Sequence, residues 1–419
     1  MATTMRVLLT DGSGLTSKQV AHRLGTVGHR VEVLAPNGLC LSRFSRYVRK
    51  VHPVPAYGPD PFAWLEAALS VWAVGHFDVL FPTQEQVAVL SFGHDRLIDA
   101  GVTTIVPEFD ALAAVQDKVS AHRTLAGLDL PQPHASVVTD ARELAAHGDL
   151  PAFVKLPIGT ATSGVQLVRT RSEAAAVASA LAADGVFDGG AVLVQQPVSG
   201  PLVMVQSVFD HGELVAFHAC ERLAEGTNGG ASHKQGLSLP ATRHHLEALG
   251  ASLGWHGGLS VDVIVGADGP LIIDVNPRLV EPANAAASGV DLVGTMMEIA
   301  RGGQVRVAPE GRSGVRTHQL LLAVLGAAER GGRSDVLGEL VSSLRHTGGY
   351  RDSTEELSPL WHDALAAVPV AAATLATLAR PAASAWFTSG SVSNYALTPG
   401  GWRKILDAAS LRPEPDWPR

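Results

Sequence analysis

Short apolar runs and amphipathic stretches alternate through the first part of the chain. Met5-Arg6-Val7-Leu8-Leu9-Thr10 predicts a strand over 5–10, followed by Asp11-Gly12-Ser13-Gly14 and a helical stretch from about 17 to 28. Arg30-Val31-Glu32-Val33-Leu34 predicts a second strand, so the chain opens as a βαβ unit with short connections. Further strands are expected at Asp78-Val79-Leu80-Phe81-Pro82-Thr83 and near Thr103-Thr104-Ile105-Val106-Pro107. Their continuous apolar character is that of a parallel sheet buried on both faces, closing near residue 110.

From Asp117 to about Arg301 the texture is mixed. A helix is expected over 117–127, then a Pro131/Pro133 turn, strands at 152–155 and 165–168, a helix at 172–184 and a strand at 191–195. Strands at 203–210 and 213–219, a helix at 242–254 and strands at 259–265 and 271–275 complete this region. Beyond about 313 the pattern predicts helices at 316–330, 334–346 and 362–380, joined by Gly-rich turns, as a cap or oligomerisation element.

Composition narrows the function classes. The 419 residues carry a net charge of −8, so no broad basic field is available for nucleic acid or an anionic membrane. Cys40 and Cys220 are the only cysteines and have no metal-ligand spacing, which predicts two buried free thiols. The first strand is too short and polar-flanked for a signal peptide, and the apolar run Ala364–Ala379 is shorter than a spanning helix and holds Pro369. A cytoplasmic chain without stable membrane insertion is the expectation.

The densest chemical signal is Asp262-Val-Ile-Val-Gly-Ala-Asp-Gly-Pro-Leu-Ile-Ile-Asp274-Val-Asn276-Pro-Arg278. Two apolar strands joined by Ala267-Asp268-Gly269 form a hairpin pattern. Asp274 and Asn276, two residues apart, share a face. Two carboxylates and an amide oxygen among Ile and Val make a hard-oxygen site of the kind that holds Mg²⁺. Arg278, on the same face, offers a fork for a phosphoryl group or a carboxylate. Lys155 ends an apolar strand just before Leu156-Pro157-Ile158-Gly159-Thr160-Ala161-Thr162-Ser163-Gly164, a small loop suited to phosphates, and Lys118 at a helix start adds a second cation. Asp11-Gly12-Ser13-Gly14 fits neither the dinucleotide nor the Lys-bearing phosphate-loop pattern and reads as a turn feeding a helix. Glu85, just past a strand end, is a substrate-site candidate.

Asp117-Lys118-Val119-Ser120-Ala121, Phe153-Val154-Lys155, Val192 to Gly200 and Asp274-Val275-Asn276-Pro277-Arg278 follow one another in the order and rough spacing of the ATP-grasp superfamily. Over about residues 5–305 the chain resembles that superfamily, which includes carbamoyl-phosphate synthase, biotin carboxylase and D-alanine–D-alanine ligase. The resemblance implies an α/β, Rossmann-like pre-ATP-grasp domain over 1–110 and an α+β ATP-grasp fold over 111–310, with a lid at about 125–195. A mostly helical C-terminal extension would cover 311–419. It implies that Lys118, Lys155 and the loop residues Thr162, Ser163 and Gly164 meet the ATP phosphates. Gln195 and the backbone at Gln196 and Val198 would meet adenine. Asp262, Asp274 and Asn276 would hold one or two Mg²⁺ ions, with Mn²⁺ able to substitute. Arg278 and Arg222 would face the reacting groups, and His233 and Lys234 would lie on a loop, 224–237, near phosphoryl transfer.

The chain departs from the superfamily pattern at several points. Thr160 and Thr162 stand where glycines are frequent, Gln195 replaces a carboxylate, Leu202 lies where a ribose-binding glutamate is common, and Asp262 and Asp274 replace glutamates. The implied activity is an ADP-forming carboxylate–amine ligase working through an acyl phosphate. Its substrates would be a small-molecule carboxylate, with amino acids among the candidates, and an amine; a homodimer is expected from the superfamily. A bicarbonate-activating enzyme and a non-catalytic nucleotide-binding protein are the alternatives.

Overall fold

Strand β1 (Arg6–Leu9) presents Val7, Leu8 and Leu9 fully buried, and the chain then turns through Asp11 into α1 (Leu15–Thr26). β2 (Arg30–Ala35), β3 (Val48–Pro53), α2 (Pro61–Gly75) and β4 (Val79–Phe81) complete a four-stranded parallel sheet of order β3-β2-β1-β4. The computed structural model describes residues 4–160, 163–357 and 363–411. Ala161 and Thr162 of the small-residue loop, the start of the helix expected at 362 and the last residues of the tail lie outside them.

The strand expected near 103–107 is not formed. Leu80 N donates to Thr103 O, but the Thr104 hydroxyl takes the Leu80 carbonyl that a ladder would need, and Pro107 brings no N–H. The segment is an extended strip that buries Ile105 and Val106 beside β4. β3, which the sequence reading omits, has charged exposed residues (Arg49, Lys50) and buries only His52 fully, which hides its period.

Helices α3 (Val87–Phe92), α4 (His94–Asp99) and α5 (Phe109–Gln116) lead to α6 (Lys118–Gly127), whose N-cap Asp117 accepts from Val119 N and Ser120 N. A small antiparallel sheet of order β5-β8-β6-β7 follows, built from β5 (Ala135–Val138), β6 (Ala152–Lys155), β7 (Val165–Val168) and β8 (Val192–Gln195). It packs on α7 (Ala141–Ala145) and α8 (Arg171–Ala183) around Val138, Leu144, Val154, Val177 and Val194.

The largest sheet has seven strands, β13-β12-β9-β10-β11-β14-β15. β9 (Leu202–Asp210), β10 (Glu213–Glu225) and β11 (Ala231–Leu237) form a meander, α9 (Pro240–Leu253) covers it, and β12 (Gly257–Gly266) and β13 (Gly269–Asn276) form the expected hairpin. The segment 224–237, expected as a loop, is mainly strand. Its polar Ser232, His233, Lys234 and Gln235 lack an apolar signal because their side chains pair with one another and with the tail, not with an oily layer.

After α10 (Ala283–Ser288) and α11 (Leu292–Ala300), Arg316–His318 forms β14, not the first turn of a helix, and only then does α12 (Leu320–Arg330) begin. α13 (Arg333–Leu344), β15 (Ser353–Glu355), α14 (Ala367–Ala379), α15 (Ser384–Val392) and α16 (Pro399–Ser410) complete the C-terminal region, which is helical apart from two strands that extend the seven-stranded sheet. Leu397, Trp402 and Ile405 of the last segment sit in one core with Trp64, Leu80 and Leu112 of the first. Cys40 and Cys220 are buried and free. No helix among the described residues is long and apolar enough to cross a membrane.

Glu355 at the end of β15 accepts from Leu320 N at 2.9 Å and Leu357 N at 3.0 Å, yet burial pushes its pKa up to about 7. A raised carboxyl favours the folded state while protonated. Its contribution is complete below the unfolded value and is lost as pH rises towards 7. Stability of the protein relative to Glu355→Gln should therefore fall between pH 4.5 and 7.5, by at most about 3 kcal/mol. Urea denaturation of both proteins at the two pH values checks this; parallel profiles would exclude it.

Candidate active site

The β12–β13 register sets Asp262 directly opposite Asp274 and Ser260 opposite Asn276, so the two carboxylates and the amide lie along one strip. A register shift after Asp262 ends the regular pairing there. The Asp262 carboxylate makes no hydrogen bond to any described residue, and neither does the side chain of Asn276. Burial and the facing Asp274 charge push the Asp262 pKa up to about 7, against the pull of Lys155, Lys118 and Arg278. Two like charges opposite each other, with unspent oxygen ligands beside them, fit a hard divalent cation.

The cations converge on this strip from two other elements. Lys118 stands at the first turn of α6 because Asp117 caps that helix, and its Nζ lies 3.4 Å from Asp274 Oδ1 and 3.4 Å from Gly159 O. Lys155, at the end of β6, is only 6% exposed and donates to Ile273 O at 2.8 Å, so the small sheet is tied to β13 beside Asp274. Burial lowers its pKa, with Asp274 opposing and Lys118 adding to the fall. Arg278 Nη2 lies 3.8 Å from Glu85 Oε1, in the turn between β4 and α3.

The small-residue loop is closed on itself. Thr160 N donates to Ser163 Oγ at 3.0 Å, Ser163 N to Thr160 O at 3.1 Å, and Leu156 N to Gly164 O at 2.8 Å. A Cβ at Gly159 would stand 2.1 Å from Ser163 O, and Gly164 has φ +75°, so glycine is required at both. Thr160 Oγ1 also donates to Glu85 Oε1 at 2.6 Å, bringing the loop onto the same carboxylate that faces Arg278. Thr162, expected among the phosphate ligands, lies outside the described residues.

Gln195 ends β8 with its side chain buried and without a hydrogen bond to any described residue, while Gln196 points away and donates through Nε2 to Asp149 O at 2.8 Å. Val198 lies beside Gly266, in the strip that links β8 to the large sheet. Arg222 spends its guanidinium on Gly229 O, 2.8 Å, and Glu225 Oε2, 3.5 Å, closing the β10–β11 turn. His233 is on β11, packed against Tyr350 and His318, and burial lowers its pKa. Lys234 is 1% exposed and pairs with Glu281 Oε2 at 2.5 Å and Glu356 Oε2 at 2.7 Å. Burial alone would lower its pKa; the two carboxylates reverse this and hold it well above the usual range.

Sequence reasoning missed Glu281, Gln319 and Glu356. Gln319 Nε2 bridges the two glutamates at 2.5 and 2.7 Å, so a buried polar network joins the Arg278 turn to the tail. The Glu281 signal was within reach, three residues past Arg278 and before a proline. Nothing local marks Gln319 or Glu356, which matter only through the fold. The Asp11 turn is filled from within: Asp11 Oδ2 accepts from Ser13 N at 2.8 Å, Gly14 N at 2.6 Å and Ser17 Oγ at 3.0 Å.

Residues 115–282, which hold Lys118, Lys155, Asp262, Asp274 and Arg278, match the family model described as an ATP-grasp domain. This segment is an ATP-grasp domain. Among solved structures, the chain is similar to the biotin carboxylase domain of Hydrogenobacter thermophilus 2-oxoglutarate carboxylase, solved with MgADP, ADP and bicarbonate. The TM-score is 0.59 at 17% identity, over 75% of this chain and 74% of that one. It is similar also to an ADP complex of N5-carboxyaminoimidazole ribonucleotide synthetase, with TM-score 0.59, 14% identity and coverage of 79% and 85%. An L-amino acid ligase from Bacillus licheniformis gives TM-score 0.55 at 13% identity, over 72% of this chain and 75% of that one. A sequence search of curated proteins finds no match. The structural likenesses establish the ATP-grasp fold across most of the chain.

Proposed function

We propose that the protein is an ATP- and Mg²⁺-dependent carboxylate–amine ligase that forms an amide bond and releases ADP and phosphate. The observation that carries this reading is the facing pair Asp262 and Asp274, beside the unpartnered Asn276 amide and beneath Lys118, Lys155 and Arg278. A module that only bound nucleotide would have little use for two opposed, half-buried carboxylates.

Asp262, Asp274 and Asn276 would hold the metal, which when bound neutralises phosphate charge and polarises the γ-phosphoryl group. Lys118 and Lys155 offset the repulsion between a carboxylate nucleophile and the triphosphate. A carboxylate oxygen attacks the γ-phosphorus, the bond to the bridging oxygen breaks, and ADP leaves with its electron pair. The amine nitrogen then adds to the acyl carbonyl, the carbon–oxygen bond to phosphate breaks, and the amine gives up its proton. Arg278, half-buried and held only at 3.8 Å from Glu85, is the donor placed to meet the developing oxyanion. Gln195, with its amide unspent, fits the adenine amino group as a neutral acceptor.

Incubation with ATP, Mg²⁺, pooled amino acids, small acids and bicarbonate, followed by mass spectrometry, tests the reading. ADP with a condensed mass is the expected result; AMP would exclude acyl phosphate chemistry, and ADP with bicarbonate alone would point to carboxylation. Lys155→Met should weaken MgADP binding about 10- to 100-fold in calorimetry, the value of a charge-assisted hydrogen bond. Unchanged affinity would remove Lys155 from the phosphate site.

A further inference from the structure

The turn between β9 and β10 stands well away from the facing carboxylates. Asp210 closes β9 and pairs with Glu213, which leaves His211 and Gly212 as a two-residue connection with φ +45° and +92°. Positive φ at both positions belongs to the I′ class, whose usual residues are Asn, Asp or Gly followed by Gly. An imidazole here therefore answers to something other than the turn. Against it lies His256, carried on the loop between α9 and β12. Gly212 N donates to Trp255 O at 2.7 Å and His211 N to His256 Nδ1 at 3.4 Å, so the turn and the loop are already tied together.

Three electron-pair donors meet at this junction. Asp210 Oδ1 lies 3.4 Å from His256 Nδ1 and 3.9 Å from His211 Nε2, and one ligand atom from each residue lies within 4.8 Å of the other two. The Asp210 carboxylate accepts no hydrogen bond from any described residue. Because His256 Nδ1 accepts from His211 N, it has no proton to give Asp210, and two lone pairs face each other. A cation turns that contact from repulsive to attractive. In a tetrahedral zinc site with bonds of about 2.0–2.2 Å, the ligand atoms stand about 3.3–3.6 Å apart. The Asp210–His256 pair already has that spacing. The two imidazoles stack with centroids 4.1 Å apart and planes 18° from parallel, so His211 must turn its ring edge to share one ion. It is free to do so, because its side chain is 79% exposed and no hydrogen bond to a described residue holds it.

We propose that Asp210, His211 and His256 form a second metal site, for a zinc-type dication, that clips the β9–β10 turn to the loop before β12. Two imidazoles and one carboxylate suit Zn²⁺ over Mg²⁺, which takes oxygen ligands and keeps its waters. Three protein ligands leave a fourth position to water. On β9, Asp210 lies six residues beyond Met204, the partner of Asp262, which separates the two sites by roughly 20 Å. The clip sits where the large sheet abuts the first domain: a Cβ at Gly257, next to His256, would stand 3.1 Å from Ile105 O. Its role is to stiffen that joint. The site shares no residue with the ligase reading and stands without it.

Calorimetry with ZnCl₂ and the full chain, in excess Mg²⁺ to compete for the oxygen ligands of the Asp262 strip, tests the site. One Zn²⁺ per chain should bind, and Asp262→Asn should leave that binding unchanged. His211→Asn, which keeps a residue at ease with positive φ, and His256→Gln should each weaken it at least about tenfold, the low end of what even an outer partner of a metal ligand is worth. Zn²⁺ at about 100 times its Kd should raise the Tm of the protein by a few degrees, and that of His211→Asn by less. No binding tighter than about 0.1 mM, a loss under about tenfold in either histidine variant, or loss of the zinc in Asp262→Asn would overturn the proposal. So would equal rises in Tm. His211 is exposed, so its variant decides the question even where His256→Gln fails to fold.

Discussion

Asp262→Asn is expected to lower ADP formation by about three orders of magnitude while the protein becomes no less stable. Metal-assisted charge stabilisation is worth several kcal/mol in a transition state, and about 4 kcal/mol corresponds to a thousandfold in rate. The stability half of the expectation comes from the geometry. Asp262 faces Asp274 directly and its carboxylate has no hydrogen-bonding partner among the described residues, so the amide removes a like-charge contact and breaks no bond. Steady-state kinetics with Mg²⁺ and a urea melt without added metal decide it. Retained activity would exclude Asp262 as a metal ligand, and a collapse in stability would mean that the carboxylate serves the fold.

Lys234→Met should act in the opposite sense, costing about 3–5 kcal/mol of stability, the usual penalty for stripping one partner from a buried ion pair. The ammonium is 1% exposed and holds Glu281 and Glu356 together, with Gln319 as the only other bridge among the described residues. Without it, two carboxylates meet in a buried space. Adding Glu356→Gln should recover a large part of the loss, because the surviving glutamate then faces a neutral amide. Denaturant titration of the single and double variants measures the coupling. A loss under 1 kcal/mol would show that water or protonation already relieves the pair.

These two residues also mark how far the sequence could be read. Asp262, Asp274 and Asn276 were legible because strand periodicity is strict: residues two apart share a face, and apolar neighbours fix which face is buried. The hairpin between them was legible from Ala267-Asp268-Gly269, where Gly269 takes φ +121°. Lys234 was singled out, but on a loop. β11 earns its place by pairing on both sides, with β10 and β14, and such pairing leaves no trace in hydrophobic spacing when the strand is polar. β14 was read as helix for a related reason. Arg316–His318 runs straight into the strongly apolar α12, and only the distant partners on β11 and β15 decide its conformation. Glu281, Gln319 and Glu356 meet from three separate stretches of chain, so no local pattern could have grouped them.

The placement of α16 has a consequence for how the protein is made. Leu397, Trp402 and Ile405 fill the same core as Trp64, Leu65 and Leu80, and Leu397 N reaches Glu85 across 312 residues of chain. At ribosomal rates of about 5–20 residues per second, the first sheet must wait roughly 15 s to a minute for the side chains that complete one of its faces. Until then Trp64, Phe109 and their neighbours present an apolar surface with its covering helix not yet synthesised. The first sheet is thus among the later parts to be sealed, and a chaperone that binds nascent apolar segments would find its site there until α16 emerges.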